Sequence, residues 1–109
     1  MAGIRVIRKY FYNYHIDNVF DAVMRTGQVL NLSVTFANHA AYRVEFSKGP
    51  SLTSWGERIV IVMGILPEDG RTGLCIVSTS SLGTEIGGRG RNERNVNEFI
   101  SALNQFLPK

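Results

Sequence analysis

Apolar positions along this chain recur with two periods, and the switches between them mark its elements. Residues 4 to 12, IRVIRKYFY, are dense in β-branched and aromatic side chains and predict a strand. The period then lengthens: Ile16, Val19, Phe20, Val23 and Met24 fall at i, i+3, i+4, i+7 and i+8, one stripe of a helix. Asp17 and Asp21 early and Arg25 late suit its macrodipole, and Gly27 offers a terminator. From Leu30 the period falls to two. Leu30, Leu32, Val34 and Phe36 alternate with Asn31, Ser33 and Thr35. Beyond the turn ANHA, Tyr42, Val44 and Phe46 alternate with Arg43, Glu45 and Ser47, which predicts a hairpin with one wet face. Gly49 and Pro50 break the pattern. Arg58 to Leu66 is nearly all apolar and reads as a central strand covered on much of both faces. PEDGR is a turn, and Thr72 to Ser80 the return strand. Val96, Phe99, Ile100, Leu103, Phe106 and Leu107 make the stripe of a last helix. Asn95 and Glu98 are spaced as a capping box, with Asn92 a rival cap, and Pro108 ends the helix.

The order β-α-β-β-β-β-α restricts the topology. If strands two to five run alternately up and down, the first strand fits antiparallel beside the fifth, giving the order 2-3-4-5-1. Two helices, each with one apolar stripe, then cover one face of a five-stranded antiparallel sheet: an α+β two-layer sandwich, with residues 1–109 as a single domain. The other face is expected to be more polar, with Asn31, Ser33, Thr35, Arg43 and Glu45 on it. Strand two becomes an edge, and NLSVTFA has no charge or proline to discourage pairing, so a homodimer through that edge is expected.

Composition narrows the function classes. A chain of 109 residues, 44% hydrophobic and 19% charged, is globular and buries roughly two-thirds of its unfolded surface. The single cysteine, Cys75, excludes an internal disulfide, and with only two histidines no structural metal site is expected. No motif calls for a cofactor. Nothing approaches the roughly 20 apolar residues of a membrane span, nor does the start hold a signal-peptide core. The expectation is a cytoplasmic protein without a membrane partner, unless a native leader is missing. The net charge of +3 is mild, but Arg5, Arg8 and Lys9 near the start and Arg89, Arg91 and Arg94 near the end would form a positive patch if they met.

Two stretches are candidate sites. SLTSWGERIVIVM, residues 51 to 63, sets the only tryptophan, Trp55, and a carboxylate, Glu57, at the mouth of a strand. Trp55 there is a plug for the end of the core or a stacking platform, with Glu57 a hydrogen-bonding partner of a ligand or of a nearby arginine. GGRGRNERN, residues 87 to 95, places Gly88, Arg89, Gly90, Arg91, Asn92 and Arg94 before a helix. Free glycine amides, forked guanidinium groups and a helix N-terminus suit phosphate, although no phosphate-loop or dinucleotide motif is present. The alternative is a connection with solvated arginines. Interleaved basic and aromatic residues in RVIRKYFYNYH admit single-stranded nucleic acid, but a core-facing strand uses about half of those aromatics. Catalysis fits least: no residue is nominated as catalytic, and the topology gives His15 and His39 no reason to meet. A pair of Glu57 with His39 has no third group to orient it. Cys75 lies mid-strand, as a small hydrophobe does.

SLTSWGERIVI, EDGRT, CIVSTSS and GRGRNERNVNEFI together resemble a small prokaryotic α+β domain family of unknown function. That family pairs a Ser-Trp-Gly-Glu strand entrance with an aromatic-Gly-Lys-Asn-x-x-Asn helix start. Trp55, Gly56 and Glu57 match the first motif and Gly90, Asn92 and Asn95 the second, while Arg89 replaces the aromatic and Arg91 the lysine. The resemblance implies no activity. It implies that the two motifs form one constellation, Glu57 latching the last helix through Arg91 or Arg89. The fold is also similar to helix-grip proteins, which hold apolar ligands between a sheet and a long C-terminal helix. Here the chain is short and its side chains are large, so any pocket would be small. The overall expectation is a non-enzymatic binding or accessory domain, with anion or nucleic-acid binding at the Gly-Arg stretch as the alternative.

Overall fold

The changes of period become seven elements in the computed structural model, which describes residues 5–49, 56–80 and 88–108. They are β1 (Arg5–Tyr12), α1 (Ile16–Val29), β2 (Ser33–Asn38), β3 (Arg43–Lys48), β4 (Glu57–Ile65), β5 (Thr72–Ser80) and α2 (Gly88–Phe106). The strands form one antiparallel sheet in the order β1-β5-β4-β3-β2, the expected topology. Both helices pack on one face. Val6, Val44, Phe46, Ile59, Ile61, Leu74 and Ile76 of the sheet close on Val19 and Val23 of α1 and on Val96, Phe99 and Leu103 of α2. Phe46 and Phe99 are both fully buried, with ring centroids 5.7 Å apart, so aromatic side chains fill the space between sheet and α2.

Three local features differ from the sequence expectation. Gly27 does not end α1. It lies inside the helix, where a Cβ would sit 2.2 Å from Cε1 of Phe46, so its lack of a side chain lets helix and sheet approach. The helix ends two residues later. Leu32 N–H donates to the Gly27 carbonyl and Asn31 N–H to that of Gln28, and Asn31 takes the left-handed conformation, φ 57°. That is a Schellman cap with asparagine in the glycine position. Leu30–Leu32 therefore belong to the cap, and β2 starts at Ser33.

Next, the register of β2 on β3 shifts between Val34 and Phe36. Val34 pairs with Phe46, but Phe36 pairs with Glu45, so the strict alternation breaks at Thr35. One extra residue carries Phe36 to the face opposite the helices. Lastly, α2 begins at Gly88, before either expected cap. Asn92 and Asn95 are helical residues one turn apart, turned to the sheet, where their amides bond strand side chains.

The face without helices is less polar than expected. Strand positions opposite one another share a face, so the registers give its rows. Ile7, Val77, Val60, Glu45 and Phe36 form one; Lys9, Cys75, Val62, Arg43 and Asn38 the next. Arg5, Thr79, Arg58, Ser47 and Ser33 flank the first, and Phe11, Gly73 and Gly64 lie beyond the second. Among the described residues strand β4 is thus covered on one face only, and Ile7, Phe36 and Val62 remain exposed.

Candidate functional site

The start of β4 and the start of α2 meet at one end of the sheet. Glu57 is paired in register with Lys48, and both point to the helix side. Asn95 stands between them: its Nδ2 donates to Glu57 Oε1 at 3.2 Å, and its Oδ1 accepts from Lys48 Nζ at 2.9 Å. One neutral amide therefore relays between a buried carboxylate and an ammonium on adjacent strands. One turn earlier, the fully buried Asn92 accepts from Ser78 Oγ at 2.8 Å and donates to Ser80 Oγ at 3.0 Å. These bonds tie α2 to β3, β4 and β5. Gly88 opens the helix, Gly90 and Arg94 are exposed, and Nε and Nη2 of Arg91 are buried. Trp55 and the side chain of Arg89 lie outside the described residues.

The opposite end holds a cluster that the sequence did not disclose. Asp17 Oδ1 accepts from Tyr42 OH at 2.8 Å and from His39 Nε2 at 2.9 Å. His15 caps α1, its Nδ1 accepting the Asp17 N–H at 3.2 Å, and lies 3.6 Å from Asp17 Oδ2. The two histidines, which the topology gave no reason to meet, thus lie against one residue, His39 at the Asp17 carboxylate and His15 at its backbone N–H. The hydrogen bond from Tyr42, then that from His39, holds the Asp17 carboxyl below its ordinary range, and the same Tyr42 bond raises the phenol. Phe20 stacks against His39 with centroids 4.7 Å apart. Tyr42 adopts φ 51°, a left-handed backbone unusual for a large side chain, and its carbonyl accepts from Met63 N–H. The groups bind one another, so the cluster pins the β2–β3 turn to the start of α1.

Glu57 and His39 cannot act together. Register pairs Lys48 with Glu57 and Arg43 with Val62, so His39, which precedes Arg43, lies at least about 17 Å along the strands from Glu57.

A groove of about 830 Å³ opens between the end of β1, the β4–β5 turn and the last turn of α2. It is larger than the small pocket expected, and it lies outside the space between sheet and helix. Tyr12 OH donates to Asn104 Oδ1 at 3.0 Å, Tyr14 OH to the Pro108 carbonyl, and Thr72 OH to the Tyr14 carbonyl at 2.6 Å. Arg71 stands 5.4 Å over the Phe11 ring and 2.7 Å from Asp69 Oδ2. These polar groups of the rim already bond one another.

On the open face, Glu45 accepts from Arg58 and, at 2.9 Å, from Arg43; those two bonds, Arg58 first, keep its carboxyl ionised below the usual range. Among the described residues no group of three or more His, Cys, Asp or Glu side chains is placed to hold a metal, and no helix is long and apolar enough to cross a membrane.

No family model matches the chain, and a search of curated proteins gives no match. Solved structures do match. A protein of Nitrosospira multiformis, a structural genomics target, superposes with a TM-score of 0.69 at 8% identity over 97% of both chains. The di-domain ARO/CYC protein BexL of the BE-7585A biosynthetic pathway gives 0.63 at 12% identity, covering 94% of this chain and 45% of that one. Ara h 8.0201 gives 0.55 at 5% identity, over 95% and 97%. At such identities the likeness is one of fold: this chain shares with them a small antiparallel sheet closed on one face by helices.

Proposed function

We propose that the chain is a small non-enzymatic binding domain that meets its partner on the open face of the sheet. The observation that carries this reading is a contrast between the two faces. On the helix side Phe46 and Phe99 occupy the place where a ligand would be gripped. On the other side Val60, Val62, Cys75 and Val77 form an apolar floor with no element over it among the described residues. Contiguous apolar surface of that kind marks interaction sites. Amide chemical shifts during a titration with anilinonaphthalene sulfonate test the reading. Shifts at Ile7, Val60, Val62 and Val77 are expected; shifts at Val44, Ile59 and Leu103 would overturn it by exposing an internal ligand cavity, as would silence throughout.

A second reading, anion binding at the start of α2, is favoured by the placement of Gly88 to Arg91 in a first helical turn. Amides there have no intrahelical acceptor, and the exposed Arg94 follows within a turn. A phosphate titration whose saturable shifts cluster at Gly90–Arg94 and fade with salt supports it; unmoved resonances there exclude it.

A further inference from the structure

We infer that the open face binds an acidic amphipathic helix of a partner protein, laid along β4 and β5. This deepens the reading above and rests on it. The floor is formed by Val60 and Val62 of β4 and by Cys75 and Val77 of β5, and beyond it the two strands pair glycine with glycine, Gly64 next to the end of β4 and Gly73 next to the start of β5. From the Arg58–Thr79 row to the Gly64–Gly73 row is about 20 Å of strand, the length of a helix of about 13 residues. Glycine at the far end leaves room for a backbone to come close: a Cβ on Gly64 would meet nothing within 4 Å.

The walls supply the charge. Strand β1 raises Arg5, Ile7 and Lys9 on one side, β3 raises Arg43 on the other, and Arg58 stands at the head of the floor. Each flanking strand lies about 7 Å from the line between β4 and β5, which matches the flank of a helix about 10 Å wide. Among the described residues four cations thus surround the floor against one carboxylate, Glu45, and that carboxylate is already engaged by Arg43 and Arg58. A helix with a leucine-rich stripe and glutamates on both flanks complements this arrangement.

Other occupants fit less well. A second copy applied face to face would bring Arg5, Lys9, Arg43 and Arg58 against their own counterparts. A single nucleic-acid strand needs aromatic platforms. The middle of the face is aliphatic, while Phe11 and Phe36 lie on the two outermost strands.

The one cysteine of the chain gives a native reporter, since Cys75 is part of the floor and half-buried. The probes are a blocked synthetic helix of about 13 residues with leucines on one stripe and glutamates on its flanks, the same helix with lysines, phosphatidylserine vesicles and an oligothymidylate. The acidic helix is expected to shift the amides of β4 and β5 on the open face and to slow alkylation of Cys75 severalfold. The lysine version is expected to do neither. Arg5→Glu with Lys9→Glu, both exposed, should weaken binding roughly tenfold or more without changing the spectrum of the free protein. Vesicles or oligonucleotide protecting Cys75 while the acidic helix does not would overturn the inference. So would binding that the double charge reversal leaves intact. If anilinonaphthalene sulfonate reports the open face and the acidic helix is silent, the partner chemistry is wrong and the broader reading stands; if both are silent, both fail.

Discussion

Gly27→Ala is a direct test of how closely α1 is pressed to the sheet. On helix propensity alone the change stabilises by about 1 kcal/mol, since alanine is the better helix former. The structure reverses that sign. A Cβ at this position lies 2.2, 2.6 and 3.1 Å from three atoms of the Phe46 ring, against an ordinary carbon contact of about 3.5 Å. The helix must retreat by roughly 1.3 Å, or the ring must turn into Phe99 behind it, and both rings are fully buried. Overpacking of that kind costs about 1–3 kcal/mol, and a ring with no free side puts this site at the upper end. The net expectation is a loss of about 2 kcal/mol, or roughly 10 °C in melting temperature. Urea unfolding followed by far-UV circular dichroism reads it. Gly90→Ala, in α2 with nothing within 4 Å, is the control and should be neutral or stabilising by up to about 1 kcal/mol. Phe46→Leu combined with Gly27→Ala should cost less than the two changes summed, because the smaller side chain clears the clash. A Gly27→Ala protein more stable than the parent, or strict additivity with Phe46→Leu, would refute the reasoning.

Asn92→Ala leaves Ser78 without its acceptor and Ser80 without its donor, and a loss of about 2 kcal/mol in urea unfolding is expected; a change within error would mean that the serines find other partners. Because the folded-state pKa of Asp17 is depressed, its contribution to stability is present above the unfolded value and lost as pH falls through the folded one. Asp17→Asn should therefore flatten the acid limb of stability against pH, and an unchanged limb would show that the Tyr42 and His39 bonds contribute nothing. Burial, helped by Tyr10, pushes Tyr12 up to about 12, so its phenol, like that of Tyr42, should resist ionisation in an ultraviolet titration. The stability it confers is complete below the unfolded value and falls as pH climbs from there towards the folded one; Tyr12→Phe removes that loss. Strand β2 is an exposed edge, and its self-pairing predicts dimers in sedimentation that Val34→Lys disperses; a monomer at the highest soluble concentration would rule them out.

The strand order was legible because period and chain direction left one economical arrangement for five strands and two helices. The core followed from the same stripes: Val19, Val23, Phe99 and Leu103 all sit where their spacing put them. What escaped was set by single residues acting at a distance. Thr35 looks like any alternating polar position, yet the register breaks there and moves Phe36 to the other face. Gly27 resembles a stop signal, and only the ring of Phe46 explains why the helix runs through it. The run from Arg58 to Leu66 looks covered on both faces because its outward positions, Val60 and Val62, are as apolar as its core positions, although both helices lie on one side as expected. The Glu57 end was legible as a juxtaposition, from topology, but the bond of Asn95 to Glu57 was not, since Asn92 and Asn95 carry the signature of caps. Asp17 was read as a charge suited to a helix start; that it collects His39 and Tyr42 depends on a turn whose position no local pattern records.

The position of β1 has a consequence for how the chain comes together. Arg5 pairs with Thr79 and Tyr12 with Thr72, whereas β2, β3 and β4 each pair with the next strand in the sequence. The first strand of this sheet to be made is thus the last that can be completed, and it waits while its partner is made. Closing that long loop carries the largest entropic cost of any pairing in the sheet, so it is expected to limit the folding rate. A permuted chain that carries β1 after β5 would replace this search with a hairpin and should fold faster to the same sheet. The native order instead makes assembly wait for the far end of the chain, and an incomplete polypeptide carries an unpaired, arginine-bearing strand in the meantime.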